Sequence, residues 1–154
     1  MSQDVITRLT SLGLSLPSAA APAANYVPYV LSGNMLYVSG QISQRDGALV
    51  KGKLGADMAL EDGVAAAANC ALALLAQVNA ATGGDWSKLK RVVKLTGFVN
   101  STAEFTDQPK VINGASDLLV EVLGDQGRHA RSAVSAASLP LGVAVEIEGI
   151  FELA

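Results

Sequence analysis

Residues 143–153 read Val143-Ala144-Val145-Glu146-Ile147-Glu148-Gly149-Ile150-Phe151-Glu152-Leu153, a run in which apolar and acidic residues alternate. Side chains on an extended strand alternate between its two faces. Val143, Val145, Ile147 and Phe151 therefore share one face, and Glu146, Glu148 and Glu152 share the other. Such a strand lays its apolar face on a core and keeps its carboxylates off it.

Just upstream, Arg131–Ala137 is a second β-rich run, joined to the first by Leu139-Pro140-Leu141-Gly142. A tight hairpin at this link sets Ser138 opposite Val143, Ser135 opposite Glu146 and Ala133 opposite Glu148. Arg131 then lies near Ile150, on the carboxylate face. A slip of one residue would turn it to the other face. In the unslipped register, a guanidinium fork and two carboxylates share one sheet face. Two readings stay open on this pattern alone. One is a surface strand with solvated charges. The other is a site for a small carboxylate, held bidentately by Arg131, with one glutamate handling a proton or a water.

Working outward, Pro109 opens a helix at its favoured first position, with Val111, Ile112, Ala115, Leu118, Leu119 and Val122 as its apolar stripe and Gly124–Gly127 as its end. Lys90–Val99 is a strand apolar on both faces, which predicts burial on both sides. Asp57–Ala81 is the strongest helix. Leu60, Val64, Ala67, Ala68, Ala71, Leu74, Leu75 and Val78 recur at spacings of three and four, and Gly83-Gly84 stops it. Tyr26–Leu31 and Met35–Gln41 flank Ser32-Gly33-Asn34 as a hairpin, and Arg45-Asp46-Gly47 marks another turn. Residues 3–13 carry Val5, Ile6, Leu9 and Leu12 at helical spacing, and residues 17–25, PSAAAPAAN, read as an irregular Pro/Ala linker. This divides the chain into a helix and linker, 1–25, and a domain, 26–154. Strands paired in hairpins with helices between them predict an α+β sandwich, one sheet on two helices. The second sheet face has no cover within the chain, and a partner subunit is the natural one.

Composition agrees with that. Half of the 154 residues are hydrophobic and only 16% are charged, which is apolar for a small monomer. The net charge is −3, and Lys88, Lys90, Arg91 and Lys94 are the densest basic group, so no nucleic-acid partner is expected. One cysteine and one histidine exclude an internal disulfide, a Cys-rich metal site and a two-His ligand set. The longest apolar run, Gly63–Val78, is short for a span and broken by Asn69 and Gln77. No signal peptide is read at the N-terminus. A soluble, cytoplasmic protein without membrane contact is the expectation.

Three motifs in order carry a family resemblance. The run Ala130-Arg131-Ser132-Ala133-Val134, then Ala137-Ser138-Leu139-Pro140, then Val145-Glu146-Ile147-Glu148, resembles the C-terminal signature of the reactive-intermediate deaminase (Rid/YjgF, or endoribonuclease L-PSP) family. Residues 33–42, GNMLYVSGQI, resemble its first hairpin, and Lys94-Leu95-Thr96-Gly97-Phe98-Val99 its central strand. The similarity runs from about Tyr26 to Phe151. It implies a chorismate-mutase-like α+β fold, a homotrimer with ligand sites between subunits, and hydrolysis of a reactive 2-aminoacrylate-like enamine or imine to a 2-oxo acid and ammonia. That chemistry needs no cofactor and no metal, because the imine is already electrophilic. The resemblance further implies that Arg131 holds the substrate carboxylate and Glu146 orients the attacking water. Tyr26 borders the cleft, and Ser39, Asn113 and the backbone at Ala133 complete the binding site. A non-catalytic carboxylate-binding trimer is the alternative, and a ribonuclease or translation inhibitor a third.

The sequence departs from the family pattern around the pocket. Ala133 stands where a cysteine is common, His129 where proline or alanine is usual, and Ala24-Asn25 where Gly-Pro is usual. The N-terminal segment is longer. Cys70, in an Ala/Leu helix, reads as an inert core thiol. His129 reads either as a strand-start residue or, two positions from Arg131, as part of the site. Trp86, after the helix stop, reads as a cap on the core.

Overall fold

The computed structural model describes residues 2–21 and 24–154; Pro22 and Ala23 of the linker lie outside them. Helix α1 spans Ser2–Ser11, α2 Leu60–Thr82 and α3 Gln108–Leu123. The strands are β1 (Tyr29–Ser32), β2 (Met35–Ile42), β3 (Gln44–Arg45), β4 (Ala48–Leu49), β5 (Leu89–Asn100), β6 (Ala130–Ala136) and β7 (Val145–Leu153). Five of them form one sheet in the order β1-β2-β7-β5-β6, and β3 and β4 form a separate hairpin. This is a mixed α+β sandwich: α2 and α3 cover one sheet face, and the described residues leave the other open.

The local chemistry explains the elements. Gly33 turns β1 into β2 at φ 61°, and Asp46-Gly47 turns β3 into β4 at φ 52° and 81°, the left-handed pair a two-residue hairpin requires. At the end of α2, Gly83 sits in the left-handed region, and the N–H groups of Gly83 and Gly84 donate to Ala80 and Asn79, closing the last turn. The apolar stripe of α3 is wholly buried, from Val111 to Val122. In α2 the buried surface reaches well round the helix, including Cys70, Leu72 and Gln77, while Val64 and Ala68 are only half-buried. A strap formed by residues 13–21 accounts for buried Gln77, whose Nε2 donates to Ala20 O at 2.9 Å. Helix α1 joins the same core through Val5 and Leu9. α2 is long and apolar enough to cross a membrane, but most of it is packed within this core.

The C-terminal strands correct the expected register. β6 does not pair with β7. It runs parallel to β5, with Arg131 opposite Leu95, Ala133 opposite Gly97 and Ser135 opposite Val99. β5 lies between them and pairs antiparallel with β7, Thr96 opposite Glu148 and Phe98 opposite Glu146. The Leu-Pro-Leu-Gly link, with Leu141 at φ 60° and Gly142 at φ 74°, is therefore a crossover past the end of β5 and not a hairpin. The physical reason is the composition of β5. It is long and apolar, and it takes an inner position where both of its edges are hydrogen-bonded, to β7 and to β6. Its helix-side face, Leu95, Gly97 and Val99, is fully buried; Thr96 and Phe98 on the other side are half-exposed in the single chain. Burial on both sides is thus met on one side only.

The alternation of β7 holds: Val145, Ile147, Phe151 and Leu153 are buried, and Glu146, Glu148 and Glu152 lie opposite. On that open face Val30, Tyr37 and Val134 are 50%, 46% and 45% exposed.

One close approach sets the helix layer. A Cβ added at Gly114 of α3 would stand 2.1 Å from the carbonyl oxygen of Val64 in α2. Gly→Ala inside an unpacked helix stabilises by about 1 kcal/mol. At Gly114 the sign reverses, because neither backbone can yield: Gly114→Ala is expected to destabilise by about 1–3 kcal/mol. A lowered denaturation midpoint at unchanged slope checks this; a raised midpoint would show that the helices do not meet there.

Candidate functional site

The site residues fall into two groups on opposite flanks of the sheet. The first group surrounds a groove of about 1120 Å³ lined by Tyr26, Ser39, Gly40, Gln41, Arg45 and Glu146, with the 13–21 strap on its rim. A β-bulge opens it. Between Val38 and Gln41 the pairing of β2 with β7 shifts, so Ser39 and Gly40 together oppose Glu148 alone. Gly40 is needed there, since a Cβ would stand 2.6 Å from Oε2 of Glu146. The carboxylate lies directly over the glycine backbone. Ser39 Oγ donates to Val27 O at 2.8 Å, which ties the segment around Tyr26 to the bulge. Gln41, buried, donates to Ser39 O at 2.9 Å.

Glu146 is half-buried and makes no ion pair or side-chain hydrogen bond among the described residues. Burial raises its carboxyl above the ordinary carboxylate range, and the charge of Glu148 raises it further. Glu148 is exposed and makes no ion pair among the described residues. The ion-paired glutamate of β7 is Glu152, 3.5 Å from Lys90 Nζ.

The second group sits at the other edge. Arg131, on edge strand β6, shares its rung with buried Leu95 and so leans to the helix side. Its Nη1 donates to Ser116 Oγ and its Nη2 to Pro109 O, both at 3.1 Å. Asn113 is exposed on α3 between those two contact points, and Ala133 packs on the core beside Gly97. Ser116 also lies 2.9 Å from His129 Nε2. The structure therefore brings Tyr26, Ser39 and Glu146 together, and separately Arg131 and Asn113. It does not bring Arg131 and Glu146 onto one face of one chain. One strand, β5, separates Glu146 on β7 from Arg131 on β6, roughly 10 Å at about 4.8 Å per step, and the two side chains lean to opposite faces of the sheet.

Sequence reasoning missed Ser116, Gly40 and Arg45. Ser116 is three residues on from Asn113 and seven from Pro109, the spacing of one helix face, and that was its available signal. Gly40 lies inside the Ser-Gly-Gln motif. Arg45 sits at a hairpin tip that carries no pattern. Cys70 is fully buried, its thiol on Val145 O at 3.5 Å, and burial, then Glu146, raise its pKa. It is the inert core thiol expected. Trp86 is buried in the core as well. No cluster suited to a metal ion occurs among the described residues.

A mixed five-stranded sheet on two helices, with the other sheet face open, is the chorismate-mutase-like class of α+β protein. Residues 6–152 match the family described as "YjgF/chorismate_mutase-like, putative endoribonuclease", and the chain belongs to this YjgF/Rid family. It is 52% identical to protein TCP17 of Trypanosoma cruzi, over 99% of this chain and 96% of that protein. Among solved structures, it is similar to Atu1372 of Agrobacterium tumefaciens, described as of unknown function: TM-score 0.94, 51% identity, 99% of this chain and 94% of that one. It is also similar to a Shewanella oneidensis protein with the family's endoribonuclease description: TM-score 0.92, 37% identity, 97% and 99% covered.

Proposed function

We propose that the protein is an imine deaminase whose sites form between subunits of a homotrimer. It hydrolyses 2-aminoacrylate-like imines of small amino acids to 2-oxo acids and ammonia. The observation that carries this reading is Glu146: an unpaired, half-buried carboxylate over the Gly40 backbone, in a groove with Tyr26 and Ser39. A carboxylate of raised basicity in that position suits the orientation and deprotonation of a water. The electrophile is the imine carbon. Water adds there and its proton passes through Glu146 to the imine nitrogen, giving the carbinolamine; the hydroxyl proton then follows the same route as the C–N bond breaks, leaving the 2-oxo acid and ammonia.

Arg131 supplies the anchor, and the flank it occupies argues for the assembly. Its half-site lies on the helix side of edge strand β6, and Glu146 lies on the open face of β7, with β5 between them. Two copies meeting head to tail unite them, and a head-to-tail contact that closes makes a ring. The open face with Val30, Tyr37 and Val134 provides apolar surface for that contact. Light scattering is expected to give about three times the 15.7 kDa subunit mass. A stable monomer at micromolar concentration would remove the shared site.

RNA cleavage is the second reading, favoured by the description of the Shewanella relative. Charge opposes it. The groove sets Arg45 beside Asp46 and Glu146, and the chain's net charge is −3, where a phosphate backbone calls for a basic track. The deciding experiment is ammonia release from enzymatically generated 2-aminoacrylate. Release above the uncatalysed rate supports the deaminase. Carboxylate binding without release leaves a binding module.

The pH profile carries its own expectation. A water-activating carboxylate works ionised, so activity falls as pH falls through its pKa. Because the pKa of Glu146 is raised, the acid limb should lie above that of an ordinary glutamate, about 4.3. Glu148→Gln removes one of the two raising influences and should move the limb to lower pH. An acid limb unmoved by Glu148→Gln would assign it to another group.

A further inference from the structure

The Arg131 side chain is held by contacts that the proposed chemistry has not yet used. Its Nη1 donates to Ser116 Oγ at 3.1 Å, and Ser116 Oγ is 2.9 Å from His129 Nε2. The other ring nitrogen, Nδ1, is 2.6 Å from the Gly127 carbonyl oxygen. The direction of each bond follows from the inventory of donors and acceptors. A carbonyl only accepts, so Nδ1 carries the ring proton. In the neutral ring Nε2 then accepts, and the only proton available to it is that of the Ser116 hydroxyl. With its hydrogen committed to His129, the hydroxyl turns its lone pairs to Arg131, which only donates. The second guanidinium nitrogen is fixed by the Pro109 carbonyl at 3.1 Å. The segment that supplies the last acceptor packs closely on α3, since a Cβ at Gly127 would clash with Leu119 O. Half-burial lowers the imidazole pKa, the Gly127 bond opposes it, and the Arg131 charge lowers it further; the net shift favours the neutral form that the chain of bonds needs.

We propose that Ser116 and His129 are positioning residues that orient the Arg131 guanidinium for a substrate carboxylate, through the one-directional chain Arg131–Ser116–His129–Gly127. The proposal rests on the reading of Arg131 as the carboxylate anchor. The relay does not touch the substrate, and it acts before the chemical step. A long arginine side chain loses rotamer freedom when it binds; the relay and the Pro109 carbonyl remove that freedom in the free protein.

The test uses the full-length protein, pyruvate as the carboxylate probe in calorimetry, and imine hydrolysis. Ser116→Ala and His129→Leu are each expected to weaken pyruvate binding and raise KM roughly tenfold, the scale of one hydrogen bond to a charged group, with kcat within about twofold. Their double variant should be no worse than either, because both break one chain. His129→Gln, whose amide oxygen can take the place of Nε2, should restore most of the affinity; a merely structural role would not show this split or this rescue. The chain's single histidine makes its ¹⁵N resonances unambiguous, and the Nδ1-protonated tautomer is expected. Unchanged pyruvate affinity in both single variants, or an Nε2-protonated ring in the wild type, overturns the relay. A wild type that binds pyruvate with the expected variant effects but releases no ammonia supports the relay and removes the deaminase reading. A wild type that binds no carboxylate overturns relay and anchor together.

Discussion

Arg131→Lys is expected to lose most imine hydrolysis, roughly 30- to 1000-fold in kcat/KM, while the oligomer persists. The guanidinium is planar and offers parallel N–H donors to both oxygens of a carboxylate; an ammonium offers a point charge. The loss of such an anchor costs about 2–4 kcal/mol. The structure sharpens the expectation. Arg131 is already oriented by Ser116 Oγ and Pro109 O, and a lysine has one nitrogen to divide between these acceptors and a substrate. Steady-state kinetics with the generated imine, together with the mass of the variant in solution, checks it. Full activity would place the carboxylate elsewhere, with Arg45 in the groove as the nearest cation to examine.

Glu146→Gln is expected to lower turnover by about 10²- to 10⁴-fold, the range for general acid–base work, with pyruvate affinity nearly unchanged. The amide keeps the shape of the side chain over Gly40 and removes the negative charge. Glu148→Gln should do far less to turnover at neutral pH. Both carboxylates share the open face of β7, so alternation alone does not choose between them; their surroundings do. Glu146 lies in the groove, half-buried and with a raised pKa. Glu148 is exposed opposite the bulge, where water already solvates it. Equal small losses in the two variants would show that neither glutamate handles the water. A large loss at Glu148 alone would move the reacting water across the bulge.

The contrast between β7 and β6 shows what the sequence made legible. The period-two pattern of β7 specified its two faces correctly, because one face is buried and the other is not. The α3 stripe was equally plain. The partner of β6 was not, because a short Leu-Pro-Leu-Gly link reads the same as a turn or as a crossover. The available signal lay elsewhere, in the length and apolar character of β5, which suit an inner strand paired along both edges. That error placed Arg131 and the two glutamates on one face, whereas the structure sets Arg131 on the helix side of the far edge. Family motifs singled out Tyr26, Ser39 and Glu146, which the structure sets around one groove, without any register, since motif spacing does not depend on which strands pair. Ser116 stayed hidden because a serine inside a helix has no distinctive local pattern; its partners, Arg131 and His129, come from a strand and a loop brought there by packing.

In the proposed site Arg131 and Glu146 act together although they lean to opposite faces of each chain's sheet. Subunit mixing tests this most directly. Arg131→Lys and Glu146→Gln proteins, each nearly inactive alone, are unfolded, mixed in equal amounts and refolded together. If the site spans a head-to-tail contact, random assembly gives roughly a quarter of the sites an intact Arg131 facing an intact Glu146, and activity should return to about that fraction of wild type. Hybrid oligomers confirmed by native mass spectrometry, yet with no activity above that of the two parents, would contradict the account.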